Sequence, residues 1–170
     1  MDALNIMIVG VGGQGSLLAS KLLGKLLVNE GLDVKVSEVH GMSQRGGSVV
    51  TYVRSGEKVY SPIIDKGEAD FIVSFEKLEA ARYASYLKKG GKIIVNSQEI
   101  DPMPVITGAA EYPKNALGKL AEQGIDVDCT SSVRRISFCS FRPRMKSSYS
   151  CISLKSIVKC GTLPPFSATT

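Results

Sequence analysis

No apolar run in this 170-residue chain approaches the ~20 residues needed to cross a bilayer, so no membrane span and no membrane partner are expected. Asp2 stands near the N-terminus and no basic segment precedes an apolar one, which argues against a secretory leader; the cytoplasm is the expected compartment. Histidine occurs once, at position 40, and a lone histidine at a strand end reads as structural rather than catalytic. Cysteine is absent until Cys129, Cys139, Cys151 and Cys160, whose spacings of ten, twelve and nine match no zinc or iron–sulfur pattern. No metal site and no catalytic residue are therefore assigned to this chain.

Charge is just as unevenly spread. Residues 1–127 hold 14 Lys and Arg against 15 Asp and Glu, a net of −1. Residues 128–170 hold Arg134, Arg135, Arg142, Arg144, Lys146, Lys155 and Lys159 against Asp128 alone, a net of +6. Serine supplies 10 of these last 43 residues, as many as in the first 127. Hydrophobic periodicity stops at the same place. A natural linker or tail is one reading; a reading-frame change near residue 128 would shift charge, serine, cysteine and periodicity together, and is the reading preferred here. The DNA frame around that codon tests it. Phe138, Phe141 and Tyr149 among the arginines keep a nucleic-acid-binding tail as a further reading, although nucleic acid is not an expected partner.

The first 127 residues carry a regular pattern. Asn5–Val9 is a short apolar strand stopped by glycine. Leu17, Leu18, Leu22, Leu23, Leu26 and Leu27 recur at three and four, which predicts a helix over 14–30 with one wide buried stripe, ended by Gly31. Strands are expected at 34–38, 48–54, 69–75 and 92–95, with Lys58–Tyr60 returning as a hairpin arm. A helix is expected over 75–87. Val105-Ile106 reads as a short strand, and Asn115 as the cap of a helix over 116–123 closed by Gly124. Ile125–Val127 opens one more strand. Strands alternating with helices predict a Rossmann-like α/β fold: an open, mostly parallel sheet with helices on both faces, its C-terminal part truncated or replaced. The domain is placed at residues 1–127 and the Ser/Cys/basic tail at 128–170.

The informative stretch is "NIMIVGVGGQGSLLASKLLG". Gly10-x-Gly12-x-x-Gly15 follows a strand and opens a helix, the dinucleotide-binding spacing in its proper context, with Gly13 as an additional glycine. The helix start offers free N–H groups and a positive dipole end to an anion. Glu38 lies where a ribose-binding acid would follow a nicotinamide fingerprint, which makes a free-standing NAD(P)-dependent oxidoreductase one reading. No hydride-transfer apparatus follows it.

A second cluster, "HGMSQRGGSV", comes just after the second strand. Ser43 and Gln44 can hydrogen-bond, Arg45 can pair a phosphate or carboxylate through both arms of its fork, and Gly46 and Gly47 let main-chain amides come close to a ligand or another subunit.

"GVGGQGSLLASKLLG", "VSEVHGMSQRGGSVVTYVR" and "SPIIDKGEADFIVSFEKLEAARY", in that order, resemble the gamma-type subunit or domain of 2-oxoacid:ferredoxin oxidoreductases, on the indolepyruvate (aryl-pyruvate) side of that family. The likeness covers residues 4–127. It implies an accessory subunit of an enzyme that converts a 2-oxoacid and coenzyme A to acyl-CoA and carbon dioxide while reducing ferredoxin. It implies that thiamine diphosphate and iron–sulfur clusters sit on a larger partner subunit, with ferredoxin reached through the complex. It also implies that Gly10, Gly12, Gly13, Gln14 and Gly15, with Ser43, Gln44, Arg45, Gly46 and Gly47, form the CoA-side or docking surface. Family members continue past Val127 with a strand and helix that residues 128–170 do not resemble.

Overall fold

The computed structural model describes residues 3–41 and 47–130, which belong to one compact unit ending at Ser131. Six strands form one sheet: β1 (Leu4–Val11), β2 (Asp33–His40), β3 (Ser48–Gly56), β4 (Ala69–Ser74), β5 (Leu87–Asn96) and β6 (Asp126–Thr130). Their order is β2-β3-β1-β4-β5-β6. β3 runs antiparallel to both neighbours, and the β1–β4, β4–β5 and β5–β6 pairs are parallel. The sheet is mostly parallel, as its strand–helix alternation predicts.

Helices cover both faces. Met7 and Val9 of β1, Ile72 of β4, and Ile93 and Val95 of β5 form a core with Ala80 of α2 (Lys77–Tyr83) and Leu120 of α4 (Ala116–Glu122). Side chains alternate along a strand, so Ile6 and Ile8 face the other way. On that side lies α1 (Ser16–Asn29), whose Gly24 approaches Val36 and Val34 of β2. The buried stripe of α1 is Ser16, Ser20, Leu23, Gly24 and Leu27, not the full set of leucines. Leu17 and Leu18 are exposed. Small residues lie on the sheet because the helix packs close; a Cβ on Gly24 would stand 3.3 Å from a Val36 methyl.

Several local expectations change. The antiparallel β3 lies between β1 and β2, a sheet order on which the strand pattern is silent. Residues 58–60 form no hairpin arm, since both edges of β3 are already paired, with β1 and with β2. Residues 105–106 lie in the short helix α3 (Met103–Ile106), started by Pro102 and Pro104, not in a strand. Asn115 holds the N-cap position of α4, but its side chain makes no capping hydrogen bond. The helix expected over 75–87 is α2 followed by a 3₁₀ turn at Ala84–Tyr86, and β5 begins at once. The basic tail with Cys139, Cys151 and Cys160 lies outside the described residues, as do Ser43, Gln44, Arg45 and Gly46. No helix among the described residues is long and apolar enough to cross a membrane.

Candidate functional site

β1 delivers the glycine turn to the carboxyl edge of the parallel strands. Gly13 and Gly15 adopt φ of 97° and 87°, and a Cβ at either would meet no atom of the described residues within 4 Å. Their glycine requirement is therefore one of backbone conformation. Gly10 differs: a Cβ there would lie 2.9 Å from Gln14 Oε1 and 3.0 Å from Phe75 Cβ. This glycine makes room for neighbouring protein atoms.

The Gln14 amide is engaged at both ends. Its Oε1 accepts the Val11 N–H at 2.7 Å. Its Nε2 donates to Phe75 O at 3.1 Å and to Gln98 Oε1 at 3.2 Å. The Phe75 N–H donates to Val9 O at 2.9 Å, so the loop after β4 is tied to β1 twice over.

The second cluster meets the first. The Gly12 N–H donates to Gly47 O at 2.9 Å, and Val11 pairs with Ser48 across the β1–β3 ladder. Gly10, Gly12, Gly13, Gln14, Gly15 and Gly47 thus lie together at one edge. Since α1 starts at Ser16 after the left-handed Gly15, with no side-chain cap and no acid in its first turn, its leading N–H groups and dipole meet no competing negative charge of its own.

Behind Gly47 stands a group the glycine pattern does not reveal. Ser48 Oγ donates to Glu79 Oε2 at 2.5 Å and lies 3.2 Å from the Tyr83 hydroxyl. Glu79 is buried, and Arg82 reaches it at 3.6 Å. Burial pushes the Glu79 carboxyl above its ordinary value, against the opposing pull of the Ser48 hydroxyl and the Arg82 guanidinium. One turn earlier, the buried Glu76 caps α2 by accepting the Glu79 N–H at 2.9 Å. It also accepts from the Ile100 N–H and the Tyr112 hydroxyl. The Tyr112 phenol is raised above its ordinary value by burial first and by Glu76 second. Glu76 and Glu79 at the start of a helix that follows a buried strand are a local signal, but nothing in the sequence pairs them with Ser48 and Tyr112.

Glu38 does not join the site. It pairs with Thr51, which pairs with Ile8, so two strand spacings, roughly 10 Å, separate it from β1. The inserted β3 removes the neighbouring acid that a nicotinamide fingerprint requires. His40 is exposed at the end of β2, its ring nitrogen 3.2 Å from the Gly41 carbonyl.

Known proteins share this sequence and fold. An indolepyruvate oxidoreductase subunit IorB from Thermococcus kodakarensis is 51% identical over 124 residues, 72% of this chain and 61% of that relative. A second subunit of that name, from Pyrococcus horikoshii, is 53% identical over 113 residues, 66% of this chain and 56% of its own length. The chain therefore spans about three-fifths of the curated relatives it matches. Among solved structures, pyruvate oxidoreductase subunit PORC from Thermotoga maritima shares the fold with a TM-score of 0.53 at 16% identity, over 77% of this chain and 63% of that one. The profile of the family described as pyruvate ferredoxin/flavodoxin oxidoreductase matches residues 5–150, from β1 to beyond β6. The chain belongs to the pyruvate ferredoxin/flavodoxin oxidoreductase family.

Proposed function

We propose that the chain is an accessory subunit of a 2-oxoacid:ferredoxin oxidoreductase of the indolepyruvate type, with residues 1–127 carrying that role. The overall reaction converts an aryl-pyruvate and CoA to an acyl-CoA and carbon dioxide, with electrons passing to ferredoxin. Thiamine diphosphate supplies the carbanion chemistry and iron–sulfur clusters the electron path, both on a larger partner subunit.

This chain's part is to seat the anionic end of CoA and to present that edge to the partner. The observation that carries the reading is the Gly12–Gly47 hydrogen bond, which ties the first glycine turn to the last glycine of the second cluster beside an uncapped helix start. Gly13 and Gly15 bring main-chain N–H groups to the anion, the Gly12 N–H being engaged by Gly47 O, and Ser43, Gln44, Arg45, Gly46 and Gly47 are the second stretch assigned to it. The Ser48–Glu79 hydrogen bond fixes the start of β3 beside Gly47.

The test is reconstitution with the larger subunit and an assay of CoA-dependent ferredoxin reduction. Measured against Gly13→Asn, which carries the same backbone strain at φ 97° without the charge, Gly13→Asp sets a carboxylate in front of the turn. It should raise the KM for CoA about tenfold or more, equivalent to about 1.4 kcal/mol of repulsion, while leaving the KM for the 2-oxoacid unchanged. Full activity of the larger subunit without this chain, or an unchanged KM for CoA in Gly13→Asp, would contradict the proposal.

A further inference from the structure

We propose that Gln14 is a specificity-determining residue: its side chain closes the crevice between β1 and β4, so this edge admits an anion on the β3 side of the glycine turn and excludes a dinucleotide. The inference rests on the anion-seating reading for what the edge admits, but the closure itself follows from geometry alone. In an open α/β sheet, ligands lie across the point where successive connections leave for opposite faces. That point here is between β1 and β4, adjacent and parallel, because β1 leads into α1 on one face and β4 into α2 on the other. A dinucleotide needs this crevice, since its two halves rest on either side of it.

Gln14 spans the crevice. Through Val11, Phe75 and Gln98 it links the loops after β1, β4 and β5. The Phe75 N–H to Val9 O bond shuts the floor beneath it. Gly10, the first glycine of the fingerprint, has no room for a methyl group because Gln14 and Phe75 already occupy that side. Toward β3 the contact is backbone to backbone, Gly12 to Gly47, and among the described residues nothing lies within 4 Å of a Cβ at Gly13 or Gly15. The same glycine spacing that welcomes a dinucleotide elsewhere is thus converted by one amide side chain into a half-site. A dinucleotide in this half-site would lose the surface that seats its second half, while a ligand with a single anionic end would lose nothing.

The experiment titrates the full chain with NADH and, separately, with CoA, in the wild type, Gln14→Ala and Gln14→Asn. Asparagine is one methylene shorter and cannot reach Phe75 O while serving the Val11 N–H, so it opens the crevice with less disturbance should the alanine variant fold poorly. Circular dichroism and a urea midpoint establish that each variant is folded. The expected result is no NADH binding to the wild type at about 1 mM, and NADH affinity gained about tenfold or more in a folded variant. A folded variant that binds NADH no better than the wild type overturns the proposal. If CoA fails to bind the wild type, the anion-seating reading fails, while the NADH titrations still decide whether Gln14 closes the crevice.

Discussion

Glu79 is 4% exposed, and its carboxyl is raised by that burial while Ser48 donates to it. The folded state therefore holds a proton on Glu79 at a pH where the unfolded chain has released it. Stability contributed at this residue is full below the ordinary value of 4.5 and falls as pH rises through the raised folded value. Glu79→Gln keeps an oxygen to accept from Ser48 and removes the titration. Its urea midpoint should match the wild type near pH 4 and exceed it at pH 7; an equal or larger deficit at pH 7 would contradict this. Tyr112→Phe removes a donor from the buried Glu76, leaving the Glu79 and Ile100 N–H groups as its partners. It should cost about 1–2 kcal/mol in chemical denaturation.

Among elements, the glycine turn and α1 were legible from sequence and yet differ in their working parts. The apolar strand, the clustered glycines and the leucine periodicity locate both. What periodicity could not tell is which stripe faces the sheet, because Leu17 and Leu18 fit a helical stripe as well as Leu23 and Leu27 do. The choice is made by Ser16, Ser20 and Gly24, whose small size lets the helix settle on β2 and β3. Gly10 likewise looks like a glycine that admits a phosphate, but it admits Gln14 and Phe75. Gly10→Ala should therefore destabilise by about 1–3 kcal/mol through overpacking. It should also speed hydrogen exchange at the Val11 amide, which loses a well-placed Gln14 acceptor. Residues 105–106 show a different failure: two β-branched residues suggest a strand, and Pro102 with Pro104 turns them into a helical first turn.

Across the whole molecule, the alternation of strands and helices fixed the fold class but not the sheet order. Each strand's pattern reports how deeply it is buried, not which strand lies beside it. Residues 48–54 read correctly as a strand, and only the three-dimensional arrangement shows that this strand separates β1 from β2 and distances Glu38 from the glycine turn. That insertion is also what brings Gly47 to Gly12, so the feature that weakens a nicotinamide reading builds the surface proposed for CoA. The long-range partners of Ser48, Glu79, Tyr83 and Tyr112 were unreadable for the same reason. The family profile runs to residue 150, past the boundary expected at 127.

The central claim is that the two glycine bends form one surface that seats CoA in the assembled enzyme. Hydrogen exchange of the complex with and without CoA tests it directly. The account predicts slowed exchange at the amides of residues 12–17 and 43–48, with the Glu38 segment unchanged. Slowing confined to other residues of this chain, or none in either bend at saturating CoA, would contradict it.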